Sequence, residues 1–265
     1  MKYTIGELIY FSPTGTTKRI VESIAEGFGS TSHRHLDATF SDISKNETFS
    51  DNEICMIGSP VYAGRLPSTF LSRISHINGN GRYAVLVVVY GNRDFEDALV
   101  ELFDFAIAHN FKPIAAGAFI GEHSYSTSSF PLSQGRPDSI DSTKAIYFGS
   151  RIVAKVSSKN SDMVLMGTTI PGNRPYKPIP AILNVAPATD LELCTNCQTC
   201  VSVCPVHAIS ASNPAVSDDN ECIRCSACIK KCPETARSMT DERIVEISKR
   251  LFNGCKDRKE PVTIV

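Results

Sequence analysis

The chain has 265 residues, 42% hydrophobic and 21% charged, with a formal net charge of -1, an ordinary composition for one large or two modest globular domains. The near-neutral balance excludes the basic stripe needed to follow a nucleic-acid backbone, and there is no acidic tail. No apolar run reaches the roughly 18 residues needed to cross a bilayer, the longest, Ala84 to Tyr90, being strand length, so no membrane span is expected.

Met1 and Lys2 run straight into a strand-like segment, Tyr3 to Phe11, which leaves no room for the charged, apolar and cleavage regions of a secretory leader. The expectation is a cytoplasmic chain, in which the ten cysteines point to metal ligation more than to disulfides.

The N-terminal part alternates short runs rich in β-branched residues with longer segments of helical period, the pattern of βαβ units and a parallel sheet. Strands are predicted near Gly6–Phe11, His35–Ala38, Glu53–Gly58, Tyr83–Tyr90 and Ile114–Gly121, with helices over Thr16–Phe28, Ser68–Ser75, Phe95–His109 and Ser139–Val156. The predicted fold class is α/β, a doubly wound five-stranded parallel sheet, whose ligands collect at the carboxyl ends of the strands.

Three loops at that edge carry the signal. After the first strand comes Ser12-Pro-Thr14-Gly15-Thr16-Thr17, entering a helix. Its hydroxyls and free N–H groups suit a phosphate and equally suit a plain capping turn. It is not a Walker loop, since the G-x-x-x-x-G-K-[ST] frame is absent. The third strand ends in Pro60-Val61-Tyr62-Ala63-Gly64 and the fourth in Tyr90-Gly91-Asn92-Arg93 followed by Phe95. Both place small residues beside an aromatic, so that backbone can approach a flat ring and an aromatic can cover it. A phosphate pocket beside a ring pocket is the shape of an FMN site.

A long loop follows the fifth strand, Gly121 through Asp138. Loops of this length are more often functional or mobile than filler, and it is expected to cover the flavin, face the metal centres or project from the surface. His123 within it reads as a proton donor or as a surface histidine, Cys55 as a buried small hydrophobe, and Cys255 as a spare solvent-exposed thiol. Residues 166–188 crowd Pro171, Pro175, Pro178, Pro180 and Pro187 around Gly172 and Asn173, which cannot hold a helix and reads as an extended linker.

Beyond it the chain repeats itself after 28 residues: Cys194, Cys197, Cys200, Cys204-Pro is echoed by Cys222, Cys225, Cys228, Cys232-Pro. Each copy is C-x2-C-x2-C-x3-C-P, in which three thiolates hold one [4Fe-4S] cubane and the fourth reaches the other. Cys194, Cys197, Cys200 and Cys232 are assigned to one cluster, and Cys222, Cys225, Cys228 and Cys204 to the second. Structural zinc also uses Cys-x2-Cys pairs, but it does not call for three close cysteines and a fourth before proline, twice over. His207 is not needed once eight thiolates are counted. Lys230, Lys231, Arg224 and Arg237 either soften cluster charge or are simply solvated. The expected organisation is an FMN-binding domain over 1–165, the linker at 166–188, the cluster-binding domain over 189–240, and a C-terminal helix and tail over 241–265.

On these motifs residues 191–237 resemble the bacterial-type ferredoxins with two [4Fe-4S] clusters. Ser12, Thr14, Gly15 and Thr17 match the flavodoxin phosphate pattern [ST]-x-T-G-x-T. The whole resembles the flavodoxin–ferredoxin fusion proteins of anaerobic bacteria and archaea. The resemblance implies a flavodoxin-like sheet followed by a small α+β dicluster ferredoxin-like domain. FMN phosphate would be held by Ser12 to Thr17, its ring would lie between Pro60–Gly64 and Tyr90–Phe95, and Tyr62 or Phe95 would stack on it. Flavodoxins often stack a Trp, and this chain has none. The implied activity is relay of single electrons between clusters, FMN and a redox partner protein, favoured over the rival reading of an FMN-dependent reductase of a small acceptor such as a quinone, nitro compound or free flavin, because no acid–base constellation stands out. A linker of this composition also allows a homodimer in which the clusters of one chain serve the flavin of another.

Overall fold

The computed structural model describes residues 3–44, 53–158, 163–179 and 183–265; Met1, Lys2 and Pro180 of the preceding section lie outside them. In chain order the elements are β1 (Thr4–Tyr10), α1 (Thr16–Gly27), β2 (Arg34–Asp37), β3 (Glu53–Pro60), α2 (Ser68–Arg73), β4 (Tyr83–Tyr90), α3 (Ala98–Ala108), β5 (Lys112–Ile120), α4 (Ser139–Ser157), a 3-10 turn (Gly167–Thr169), β6 (Ala188–Thr189), α5 (Thr199–Ser202), α6 (Ala227–Lys230), β7 (Arg237–Ser238), α7 (Glu242–Gly254) and β8 (Val262–Ile264).

Near-continuous apolar strands such as Tyr83–Tyr90 form because both faces of the sheet are covered. One face, with Leu8, Tyr10, Met56, Val85 and Val87, packs under α1 and α4. The other, with Ile9, Phe11, Ile57, Leu86 and Val88, packs under α3. Helices α1 and α4 cross so closely that a Cβ on Gly27 would sit 1.9 Å from the Ile146 carbonyl oxygen, and one on Gly149 would sit 2.1 Å from that of Ile24.

The strand order is β2-β1-β3-β4-β5-β8. The first five strands are parallel and reverse direction of winding between β1 and β3, the switch point where such sheets bind ligands. The sixth strand is a difference from the five-stranded expectation. β8 pairs antiparallel with β5 through Ala116 to Ile264, Gly117 to Thr263 and Ala118 to Val262, so the tail at 261–265 belongs to the N-terminal sheet.

The linker also departs from the extended, independent segment expected of its prolines. Asp97, fully buried at the start of α3, accepts hydrogen bonds from the Asn173 backbone and side-chain amides (2.8 Å each) and from Lys177 N–H (2.7 Å). Burial alone would raise the Asp97 pKa, but these donors hold it below the ordinary carboxylate value. Two turns of helix further on, Asp104 receives Arg174 at 2.7 Å and the Tyr176 hydroxyl at 2.6 Å. Among the described residues no helix is long and apolar enough to cross a membrane.

In the cysteine segment β6 and β7 form a two-stranded antiparallel sheet. The repeat seen in sequence is present in the backbone: Asn196 and Arg224, Gln198 and Ser226, and His207 and Thr235 are three pairs of residues with φ between 52° and 61°, each pair 28 positions apart. Left-handed residues at matched places turn successive N–H groups toward a common centre.

Candidate functional site

At the β1–α1 junction Gly15 takes φ 85°, a conformation glycine adopts without a Cβ penalty, and its N–H closes a turn on the Ser12 carbonyl at 3.0 Å. Ser12 Oγ caps the Lys18 N–H in the first turn of α1 at 3.0 Å, while Gly15, the residue before the helix, offers no side-chain cap to the amides ahead of it. The helix therefore presents uncapped N–H groups with its positive dipole end. Thr17 is fully buried and its Oγ1 has no hydrogen-bond partner. A buried, unpaired hydroxyl beside free amides fits a phosphate.

The other two loops are held beside it by their roots: Phe11 N–H bonds to Gly58 O at 3.1 Å, Val61 N–H to Val89 O at 2.9 Å, and Gly121 N–H to Tyr90 O at 2.9 Å. After β3, Tyr62 and Arg65 exchange backbone hydrogen bonds across Ala63 (φ 52°) and Gly64 (φ 80°), a two-residue turn with both central φ positive. Its Gly64 carbonyl accepts from Asp97 N–H at 3.0 Å, tying it to the loop after β4. There Tyr90 and Phe95 pack with ring centroids 5.5 Å apart. Tyr62 and Phe95 both keep partial exposure. Asn92 does not face outward with them. It is buried, and its Nδ2 donates to the carbonyls of Cys255 (2.6 Å) and Asp257 (2.8 Å). Arg93 pairs with Glu96 at 2.7 Å.

His123 is not a surface histidine. Its ring lies against Gly91, where a Cβ would meet Cδ2 at 2.3 Å. Burial, aided by the charges of Arg93 and Lys230, pulls its pKa down to about 4. Nδ1 accepts from Tyr125 N–H at 3.0 Å, which leaves the proton of the neutral ring on Nε2.

Two cavities open in the C-terminal segment. The first is lined by Cys194, Cys197, Cys200 and Cys232, with Thr189, Pro214, Glu234 and Arg237. The second is lined by Cys204, Cys222, Cys225 and Cys228, with Ile209, Ser217 and Ile223. Each takes three cysteines from one repeat and the fourth from the other. Among the described residues no three His, Cys, Asp or Glu side chains are drawn together as ligands to one ion. The four thiols of each cavity stand around its walls, a donor set that fits a cubane.

The two cavities differ in exposure. Cys197 is exposed and its neighbours half-buried, whereas Cys204, Cys225 and Cys228 are buried. Burial pushes the Cys225 and Cys228 thiols up to about 12 and about 11, so these sites call for a cationic partner to ionise them. The Thr199 hydroxyl, 3.3 Å from Cys197 Sγ, and neighbouring N–H groups lower the outer thiol's pKa instead. Ala208 N–H donates to Cys204 Sγ at 3.3 Å, the kind of contact that tunes a cluster from behind its ligand.

The buried cavity faces the sheet domain. Burial raises the Tyr62 phenol well above its usual pKa, with Cys225, Tyr125 and Cys222 adding to the rise. Ile223, on the cavity wall, packs against the core beneath α3. Arg73 donates to Pro205 O at 2.6 Å, and Lys230 bridges Glu122 (2.5 Å) and Ser126 O (3.3 Å). The 121–138 loop thus faces the cysteine segment. Sequence reasoning missed Tyr125 here, for which no local pattern exists. It also left Arg237 open between softening cluster charge and being solvated, although the repeat shows it standing where the first copy has Ile209, and the structure buries it.

The flavodoxin domain family matches residues 8–130, and 4Fe-4S binding domain families match residues 187–210 and 219–238. The chain is a flavodoxin–ferredoxin fusion. It is an FMN and iron–sulfur electron-transfer protein, with one FMN site and two 4Fe-4S sites. A comparison with curated protein sequences found no match. Among solved structures the fusion is similar to a flavodoxin from the domain Archaea (16% identity, 58% of this chain and 99% of that one, TM-score 0.41). It is likewise similar to Streptococcus pneumonia TIGR4 flavodoxin (18%, 57% and 99%, 0.42) and Flavodoxin 1 from Bacillus cereus (16%, 57% and 98%, 0.40).

Proposed function

We propose that the fusion is an intramolecular relay in which the polypeptide fixes an order: an external redox partner at the outer cavity, then the inner cavity, then the flavin loops. When bound, the clusters and FMN supply one-electron chemistry, and a partner protein or small acceptor lies beyond them. Cys194, Cys197, Cys200 and Cys232 would hold the outer cluster, and Cys204, Cys222, Cys225 and Cys228 the inner one. Uncapped amides of α1 and the Thr17 hydroxyl would bind FMN phosphate, with Tyr62 and Phe95 beside the ring.

The observation that carries the reading is the placement of Tyr62. It belongs to the loop expected to flank the flavin, and it packs against the same core as Ile223 of the inner cavity's wall, where burial and the charges of Cys225 and Cys222 raise its phenol pKa. Lys230 with Glu122, Arg73 with Pro205, and Ile223 keep the two parts in register, so this chain's clusters serve its own flavin. The outer cavity, with exposed Cys197, is left for the partner.

The test is anaerobic iron, sulfide and flavin analysis followed by rapid photoreduction. We expect about eight irons and one FMN per chain, and a rate of flavin reduction that does not change on dilution. A rate proportional to protein concentration would place the transfer between chains and overturn the reading. Sustained turnover with a quinone or nitro compound, without a protein partner, would make the fusion a reductase instead.

A further inference from the structure

Arg237 lies between the two cysteine cavities. It is 3% exposed and is itself part of the outer cavity's lining. Nη1 donates to Thr189 Oγ1 at 3.0 Å and to Pro214 O at 2.9 Å, and both of these residues line the outer cavity. Nη2 donates to Pro187 O at 3.1 Å and to Ser217 Oγ, and both of these line the inner one. Burial raises the pKa of the Cys228 thiol in the inner cavity, and the charge and hydrogen bond of Arg237 oppose that rise. One side chain thus belongs to a wall that the two cavities share.

The carbonyl and hydroxyl partners of the guanidinium are all neutral, and Nε is buried without a hydrogen-bond partner. Among the described residues no ion pair includes Arg237. Glu234 lines the outer cavity but is exposed to water, where its charge is screened. The residue 28 positions earlier in the repeat is Ile209, buried on the inner cavity's wall. Of these two related positions only one carries a charge, and that charge stands at the boundary of the cavities.

Burying an unpaired guanidinium is costly unless negative charge is set against it. Thiolate-ligated clusters supply that charge, one on each side of the wall. Each cluster takes one electron from the reductant and no proton, so its negative charge grows, and a fixed cation nearby favours the reduced form. On the reading that the two cavities hold the clusters, we propose that Arg237 is the common counter-charge of both, raising their two reduction potentials together. Arg237 touches no substrate; it is a positioning residue that acts through the clusters.

The experiment is an anaerobic potentiometric titration of the full chain with dithionite, read by electron paramagnetic resonance, with iron and sulfide counted on the same samples. Arg237→Met removes the charge and keeps an unbranched side chain. Both one-electron steps are expected to move to lower potential, the reduced-to-oxidised ratio of each cluster falling roughly tenfold at fixed potential, equivalent to about 59 mV for one electron. Arg237→Lys keeps the charge and should hold both steps near those of the unmodified protein. An Arg237→Met protein with full iron content and unshifted steps overturns the proposal, and so does a shift confined to one cluster. An Arg237→Lys protein shifted as far as Arg237→Met overturns it as well, because the hydrogen bonds of the guanidinium would then matter and its charge would not. If Arg237→Met does not assemble, Arg237→Lys decides: two clusters with unmoved steps support the role of charge, and lost clusters or moved steps overturn it. Absence of cubane iron and sulfide from the unmodified chain would instead overturn the cluster assignment itself.

Discussion

Thr17 combines two environments in one side chain. Its methyl packs against Gly58, whose added Cβ would meet it at 3.1 Å, and its hydroxyl is buried with no partner. An unpaired buried hydroxyl destabilises the empty fold, whereas a hydrogen bond to a charged group contributes about 1.5–3 kcal/mol. Thr17→Val keeps the shape and removes the hydroxyl. It should therefore weaken FMN binding roughly tenfold or more while leaving the melting temperature of the flavin-free protein unchanged or higher, which flavin titration and thermal melts together will check. His123 gives a prediction in pH. Its folded pKa is depressed from 6.5 to about 4, so the unfolded chain takes up the proton first as pH falls. The stability contributed by the neutral ring is fully present above pH 6.5 and is lost as pH drops toward about 4. His123→Asn retains an acceptor for Tyr125 N–H but does not titrate, and its melting temperature should fall less steeply below pH 6.5 than that of the unmodified protein. That Thr17 bears on phosphate was legible in the loop motif. That His123 is half-buried was not, because a polar loop sequence carries no sign of the Gly91 backbone folding against it.

Among the elements, the parallel strands and long helices followed from their residues: β-branched runs bounded by turn residues have few alternatives when both faces are covered. β8 did not follow. Val262-Thr-Ile264 is too short to carry a period, and its partner, β5, lies more than a hundred residues away. The linker was legible in its prolines but its docking was not, since the anchors Asp97 and Asp104 belong to α3. Asp97→Ala removes three hydrogen bonds to a buried carboxylate at once, each worth about 1.5–3 kcal/mol for a charged acceptor. Limited chymotrypsin digestion should then cut after Tyr176, a position whose hydroxyl is tied to Asp104 in the unmodified protein. Equal cleavage rates would show that α3 does not hold the linker.

At the scale of the molecule, the cysteine segment is fastened at both ends. Residues 166–179 run along α3, and the strap after α7 returns to the sheet. Along it, Arg258 pairs with Asp138 (2.6 Å) and Asp141 (3.0 Å), and Arg136 with Asp141 (2.5 Å). The Lys259 N–H bonds to Asn92 Oδ1 at 3.2 Å, and Lys144 pairs with Glu260. The Asn92 side chain is the rivet of this strap. A chain nicked after Tyr176 should consequently elute as one species in size-exclusion chromatography, the two fragments held by β8 and the strap. Arg258→Glu in the nicked chain sets like charges against Asp138 and Asp141 and should release the cysteine-rich fragment; co-elution of that variant would show the ionic strap to be dispensable.

The antiparallel sixth strand also sets an order of events during synthesis. The ribosome makes β8 after both cysteine repeats, so β5 keeps an open edge until the iron-binding segment has emerged. An open edge is a template for pairing with another chain. The sheet domain therefore cannot finish closing before the segment that carries iron exists, and chains arrested between the repeats and β8 present an adhesive edge to other chains.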